Sequence, residues 1–127
     1  MRRAVILILV MLVLGTAAGL WMQTALERLC EYYLSSVEAL RSLVEEDRLP
    51  EALTEQAYLF ARWQGEEGKL KALVSHHHTR AADEALLRLT TALEQGWRKE
   101  ALLALDTLRD ALEDLRSDTR LKWENVL

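Results

Sequence analysis

The sequence is poor in the residues that build most catalytic motifs and most irregular structure. Its 127 residues include one cysteine, one proline and five glycines. A lone cysteine excludes an intramolecular disulfide, and scattered glycines leave no glycine-rich loop of the kind that holds phosphate. None of the serines lies in a nucleophile motif. We therefore predict that the protein is not an enzyme and has no catalytic residues, no metal ligands and no cofactor.

Clusters of positive charge are also missing. Beyond residue 22 the chain has 14 Lys and Arg against 20 Asp and Glu, a net charge of −6. The two signs are mixed along the chain, whereas nucleic-acid-binding surfaces need clustered Lys and Arg. Adhesion to anionic lipid also needs basic residues. The composition therefore predicts no nucleic-acid partner and no electrostatic adhesion to a membrane surface.

The longest apolar run lies at the N-terminus, behind two arginines. Residues 4–22 carry no charge, and Thr16 is their one polar side chain. These 19 residues reach about 28 Å at helical rise, close to the hydrocarbon thickness of a bilayer. No basic residue follows the run until Arg28, so the N-terminus is expected in the cytoplasm. We predict a single-pass signal-anchor over residues 1–22 of a cell-membrane protein, and an extracytoplasmic helical domain over residues 23–127.

A cleaved secretory signal peptide is the alternative interpretation of this run. Residues 16–19 are small, and their spacing suits a signal peptidase that cuts after Gly19. The apolar character nevertheless continues through Met22, and Trp21 lies where an interfacial aromatic anchor would. Cleavage would give a secreted domain instead of an anchored one. Both interpretations place the domain outside the cytoplasm.

Apolar residues beyond residue 22 recur at alternating spacings of three and four, the period of amphipathic helices. Few β-branched residues and a single proline agree with this. We predict an all-α fold, in which an N-terminal transmembrane helix continues into a four-helix bundle of two antiparallel hairpins. The predicted core positions are Leu26, Cys30, Tyr33, Val37, Leu40 and Val44 in helix one; Leu53, Ala57, Phe60 and Trp63 in helix two; Ala82, Leu86, Leu89 and Leu93 in helix three; and Ala101, Leu105, Leu108, Leu112 and Leu115 in helix four.

Three joints are expected to separate these helices. Helix one should end near Glu46, and Pro50 suits the first turn of the next helix because it lacks an amide donor. Residues 76–79 are predicted to form the second connection, with Thr79 as the N-cap of helix three. Gly96 is predicted to stop helix three.

Two further segments qualify the helical pattern. Gly65 and Gly68 each weaken helix two by about 1 kcal/mol relative to alanine, so that this helix either survives or bends there. Residues 117–127 are predicted to form a short C-terminal tail anchored by its apolar residues.

The sequence also contains a faint internal repeat. Val44-Glu45 followed by Glu51-Ala52-Leu53 corresponds, 49 residues later, to Leu93-Glu94 followed by Glu100-Ala101-Leu102. Both segments are helix–turn–helix joints with the same start to the second helix. This indicates either a duplicated α-hairpin or two hairpins that share good helix formers by chance.

Two aromatic residues are candidate partner contacts. Because Tyr33 has core spacing, the adjacent Tyr32 points about 100° away from the core. It lies close to the predicted membrane surface, where it either contacts a neighbouring integral protein or lies in the lipid headgroup region. Trp97 follows Gly96 in a turn and is expected to be half exposed, where it either seals the end of the bundle or belongs to a binding patch.

Three other features invite a chemical role and are better explained structurally. Consecutive residues on a helix point about 100° apart, so three histidines in a row do not converge on one ion as an i, i+4 pair does. A solvated joint is favoured, with metal binding and a pH-sensitive joint as the alternatives. An acidic column on helix four is interleaved with arginine and is predicted to be a solvated face. Cys30 is predicted to be a small apolar core residue, with an intermolecular disulfide as the alternative. The residues concerned are His76, His77 and His78, and Asp106, Asp110, Glu113 and Asp114.

The order of these parts resembles a bacterial family known as domain of unknown function 4363, found mainly in Gram-positive, often spore-forming bacteria. The resemblance covers essentially the whole chain, and the order and spacing of weak motifs carry it. It implies a small membrane-anchored or exported helical protein without an established activity, often encoded beside another uncharacterised integral membrane protein. The matching residues are Asp47 with Glu51-Ala52, Trp63, Leu73-Val74 with the three histidines, and the ending Trp123-Glu124-Asn125-Val126-Leu127.

Two function hypotheses follow from these features. In the first, the protein is a membrane-anchored, non-catalytic interaction module that docks on an integral membrane partner. In the second, it is an exported soluble binding domain that senses a metal or a proton through the histidine joint. An intact anchor separates the two, because only the first hypothesis requires it.

Overall fold

The computed structural model describes the backbone of residues 1–73 and 76–126, and the side chains of these residues except 67, 70–73, 76, 78 and 118–126. Four helices make up this part of the chain, and it contains no strand. Each helix packs against two others, so that α1 adjoins α2 and α4, and α3 adjoins the same two helices. The helix bounds are α1 Arg2–Glu45, α2 Leu49–Leu73, α3 His76–Gln95 and α4 Arg98–Val126. The predicted all-α bundle of two antiparallel hairpins is confirmed.

Helix α1 is a single uninterrupted rod, as the absence of a helix breaker in the sequence predicted. Residues 1–18 are all exposed, and Leu26 is the first large apolar residue of the core. By length and composition α1 is able to cross a membrane, a property that an N-terminal signal sequence shares. The apolar extension therefore projects beyond the bundle, at the end where α2 finishes and α3 begins.

The core follows the predicted stripe in three of the four helices. All predicted core positions of α1, α3 and α4 are buried. In α2 the buried column is instead Ala52, Gln56, Leu59 and Trp63. The prediction for Trp63 is confirmed, whereas Leu53 and Phe60 are half buried and Ala57 is exposed.

Gln56 is the physical reason for this correction in α2. Its side-chain amide nitrogen donates to the backbone carbonyl of Leu86 at 3.3 Å and to Oγ1 of Thr90 at 2.5 Å. A buried amide with such partners avoids the cost of an unpaired polar group. A polar residue therefore occupies a core position of α2. The apolar residues at helical spacing that the sequence shows lie in the neighbouring, half-buried column instead.

The second connection is shorter than predicted. Helix α3 already begins at His76, so Thr79 lies inside the helix and is fully buried instead of capping it. Thr79 precedes Ala82 by three residues and Leu86 by seven, which places it on the core stripe of α3. The predicted C-terminal tail is also helical, since α4 extends to Val126. Helix α2 runs without a break past Gly65 and Gly68.

The two hairpins are structurally equivalent at an offset of 49 residues. At the first joint the amide of Asp47 donates to the carbonyl of Val44 at 3.1 Å, and that of Arg48 to the carbonyl of Leu43 at 2.8 Å. The second joint repeats both bonds, from Gly96 to Leu93 at 3.3 Å and from Trp97 to Ala92 at 2.8 Å. Both joints are thus Schellman motifs with one residue in the left-handed region. The buried columns of α1 and α2 recur in α3 and α4 at the same offset.

The first joint places an aspartate where the second has a glycine. The φ angle is 61° at Asp47 and 73° at Gly96. In this region the Cβ of an L-residue lies too close to the following carbonyl oxygen. Glycine avoids this contact because it has no Cβ. Asp47→Gly is therefore expected to stabilise the bundle by about 0.5–1 kcal/mol, measured as a higher urea midpoint by circular dichroism. Gly96→Ala is the matched control and should destabilise by about 1 kcal/mol; a lower midpoint for Asp47→Gly would contradict this interpretation of the turn.

Candidate functional site

Tyr32 lies where α1 enters the bundle, and it points away from the core. Its side chain is 43% exposed, whereas the adjacent Tyr33 is buried. The two rings meet edge to face with centroids 5.6 Å apart. The guanidinium carbon of Arg62, on α2, lies 3.9 Å from the centre of the Tyr32 ring. This cation–π contact holds Tyr32 in one orientation at the surface.

Tyr32 forms one end of a groove of about 500 Å³ that follows α1 out of the bundle. The groove reaches Trp21, about 15 Å away along the helix axis. Its composition combines two aromatic rings, two arginines and an apolar floor. We call it the base groove, and it is lined by Leu20, Trp21, Thr24, Ala25, Arg28, Leu29, Tyr32 and Arg62.

Behind the base groove a polar network fixes Arg62. The hydroxyl of Tyr33 donates to Oε2 of Glu66 at 3.0 Å, and Nε of Arg62 donates to Oε1 of the same carboxylate at 3.3 Å. Burial, together with the hydrogen bond to Glu66, raises the pKa of Tyr33 well above its usual range. The ring of Tyr33 also packs edge to face on Trp63, 5.4 Å away between centroids. The surface at Tyr32 is therefore coupled to the core through Arg62, Glu66 and Tyr33.

Trp97 is 52% exposed and lies at the other end of the bundle. The two joints there are held together by Arg98, whose guanidinium donates to the carbonyls of Val44 at 3.2 Å and Glu45 at 2.7 Å. Val44 is 12 residues beyond Tyr32 on α1, which is about 18 Å at helical rise. The two predicted contact residues therefore cannot belong to one site.

Cys30 is a buried free cysteine on the core stripe of α1. Burial raises the pKa of its thiol to about 11. At neutral pH the thiol is therefore protonated as well as inaccessible, and the thiolate is the form that forms disulfides. The interpretation of Cys30 as an apolar core residue is thus favoured over the intermolecular disulfide.

Among the described side chains, the remaining candidates do not converge on a chemical site. His77 is exposed, and the side chains of His76 and His78 lie outside the described residues. In the acidic column Asp106 forms ion pairs with Arg41 on α1 and, at 3.7 Å, with Arg109. Within the described part of the chain, no group of three or more His, Cys, Asp or Glu could hold a metal ion.

Several residues that shape these sites escaped the sequence interpretation. Arg62 and Glu66 are an i, i+4 pair on α2 and looked like ordinary surface charges. Arg98 comes two residues after the stop signal at Gly96. A basic side chain near a helix C-terminus can cap the last carbonyls of that helix, but Arg98 caps the end of α1 and not that of α3. The 49-residue offset was the one sequence signal that related surface residues of the first hairpin to those of the second.

Comparison with known proteins agrees with the resemblance seen in the sequence. The family model described as Domain of unknown function (DUF4363) matches residues 20–126. No curated protein and no solved structure matches the chain. The match covers the whole bundle and begins at the end of the apolar run. The chain belongs to the DUF4363 family.

Proposed function

We propose that this protein is a membrane-tethered, non-catalytic interaction module whose base groove docks on an integral membrane partner. The observation that carries the proposal is the continuity of α1 from its exposed apolar extension into the core. An unbroken helix fixes both the distance and the orientation of the base groove relative to the apolar extension. If the extension spans the membrane, the base groove is therefore held at the membrane surface, always on the same side of the helix.

The composition of the base groove supports a protein partner. Binding energy at protein interfaces concentrates in Trp, Tyr and Arg, and the groove presents Trp21, Tyr32, Arg28 and Arg62 over an apolar floor. Because Arg62 is already fixed by Glu66 and by the Tyr32 ring, little side-chain freedom is lost when a partner binds. An extracytoplasmic loop of a neighbouring integral protein could reach this surface directly.

Tyr32→Ala tests this proposal in the full-length chain. Because the side chain is nearly half exposed and lies outside the core, the melting temperature is expected to stay within about 4 °C, as for most surface substitutions. Recovery of an integral membrane partner from native membranes, quantified by mass spectrometry, is expected to fall at least tenfold. Such a loss corresponds to more than about 1.4 kcal/mol of binding energy.

Tyr58→Ala is the matched control, since Tyr58 is an exposed tyrosine on α2 outside the base groove. It should change neither the melting temperature nor partner recovery. Unfolding of the Tyr32→Ala variant would show that this residue belongs to the core. Unchanged partner recovery would contradict docking at the base groove and favour a position in the lipid headgroup region.

A further inference from the structure

A second groove lies between α3 and α4, on the outer surface near Trp97. It has a volume of about 480 Å³ and a largely apolar lining. Three large apolar side chains in it are more than half exposed, namely Leu87 at 56%, Trp97 at 52% and Leu103 at 58%. We call it the distal groove, and its lining is Leu87, Arg88, Thr91, Ala92, Trp97, Glu100, Leu103, Ala104 and Thr107.

The first hairpin shows that the fold does not require these apolar residues. At the offset of 49 residues, the positions of Leu87, Trp97 and Leu103 are occupied by Glu38, Arg48 and Thr54. The equivalent surface of α1 and α2 is lined mostly by polar and charged side chains, including Arg48, Glu51 and Glu55, with Ala39 and Leu43 as its apolar residues. Both hairpins nevertheless form the same joint and the same buried columns. Large exposed apolar groups that folding does not need indicate a binding surface.

The apolar centre of the distal groove has carboxylates at both ends. Glu100 is itself a lining residue of the groove. Leu93 and Ala101 are buried on either side of the second joint, and counting outward from that joint along the two antiparallel helices places Glu94 about level with Glu100. Ten residues lower on each helix, Glu84 is level with Asp110. The two acidic ends are therefore about 15 Å apart at helical rise.

These end carboxylates are available to a ligand. All four residues are exposed. Of these four carboxylates, Glu84 forms an ion pair, with Arg80 at 3.5 Å, and the described part of the chain shows none for the other three. Arg88 is the one basic residue in the lining of the groove. The two threonines in the lining already donate their hydroxyl protons within their own helices, Thr91 to Leu87 at 3.2 Å and Thr107 to Leu103 at 3.0 Å. The centre of the groove is thus apolar, and its ends are negative.

We propose that the distal groove binds a short amphipathic helix of a partner protein, with an apolar stripe over about ten residues and Lys or Arg at both ends. Helices laid into apolar grooves anchor through residues at i, i+3, i+4 and i+7, which span about 10 Å. Basic residues just beyond this stripe are then about 15 Å apart, the separation of the acidic ends. Basic ends would neutralise the two carboxylate pairs. A second copy of this chain does not fit, because an isologous contact would bring acidic ends together.

Two synthetic 14-residue peptides test this proposal. Both carry the same leucine stripe, and one has two lysines at each end where the other has two glutamates. The full chain is placed in nanodiscs of zwitterionic phosphatidylcholine, and binding of the labelled peptides is measured by fluorescence anisotropy against empty nanodiscs. The lysine-ended peptide is expected to bind at least tenfold more tightly, and its affinity should fall as salt screens the end charges. Equal affinities for the two peptides would overturn the proposal.

Variants of the full chain locate the binding. Trp97→Arg with Leu103→Thr installs the residues of the first hairpin, so the fold should survive while peptide binding falls at least tenfold. Glu100→Lys with Asp110→Lys leaves one carboxylate and one lysine at each end, so it should abolish the preference for the lysine-ended peptide. Tyr58→Ala is the control and should leave both affinities unchanged. Unaltered binding by the first variant, or an undiminished preference for the lysine-ended peptide in the second, would overturn the proposal. Self-association of the full chain that Leu87→Glu abolishes would also overturn it, by assigning the groove to a second copy. The test is independent of the base groove, which lies at the opposite end.

Discussion

Replacing Trp63 with alanine is expected to destabilise the bundle by about 3–5 kcal/mol, as truncation of a buried tryptophan typically does. Only 1% of Trp63 is exposed, and its ring packs against Tyr33. Its indole nitrogen donates to Asp83 on α3. The substitution therefore opens a cavity where α1, α2 and α3 meet and removes an interhelical hydrogen bond. Urea unfolding of the full-length chain, followed by circular dichroism, measures the loss.

Trp63→Phe separates the two parts of this effect. Phenylalanine keeps most of the ring packing and removes the donor to Asp83, so we expect about 1–3 kcal/mol of destabilisation. The free energy of unfolding of a small domain is only about 5–15 kcal/mol. The alanine variant would lose a large part of this stability. A loss below about 1 kcal/mol for Trp63→Ala would contradict the placement of this side chain in the core.

Trp63 also connects the core to the base groove. Its ring supports Tyr33, whose hydroxyl orients Glu66, and Glu66 in turn holds Arg62 against the exposed ring of Tyr32. The rigidity of the surface residue thus depends on a buried one. Because burial and the hydrogen bond to Glu66 raise the pKa of Tyr33 well above its usual range, its hydroxyl stays protonated and able to donate to Glu66 throughout the physiological pH range.

Periodicity predicted the helices well wherever each core position carries an apolar side chain. In α1, α3 and α4 the spacing identified the buried residues directly. It failed in α2 because the core column contains Gln56, while the neighbouring column contains the apolar Leu53 and Phe60. It also failed at Thr79, a polar residue that is buried, so a helical turn was interpreted as a connection. In both cases tertiary contacts outweigh local polarity.

The surface was harder to predict, because grooves join residues that are distant in the sequence. Tyr32 was recognised from its phase relative to Tyr33, but Arg62 on another helix completes its environment. Trp97 was recognised from its turn, whereas Leu87 and Leu103 were exposed residues without context until α3 packed on α4. The 49-residue offset contains this information, since it compares each exposed residue with its counterpart in the other hairpin.

Deleting residues 2–19 is expected to release the chain from membranes without changing the stability of the bundle. Residues 2–18 are exposed, and Gly19 is buried but has no side chain, so the deletion removes little packing. The apolar run contains ten Val, Ile and Leu residues, which together favour insertion by about 3–6 kcal/mol on a translocon scale. Full-length protein should remain in the membrane pellet after an alkaline wash, and the deletion variant should be soluble with an unchanged melting temperature.

Leu12→Arg is the matched variant, because it keeps the length of α1 and adds one charge near the middle of the run at a cost of about 2.5–3.5 kcal/mol. It should lower the fraction of chain in the washed pellet without altering the helical bundle. Protease added to intact spheroplasts should digest the bundle of the full-length chain, because the two N-terminal arginines are expected to keep the other end of an anchored chain in the cytoplasm. Recovery of a soluble chain that begins at Leu20 would contradict the anchor and support signal cleavage. Docking at the base groove requires an intact α1, because cleavage would remove the rigid connection that holds Tyr32 at the membrane surface.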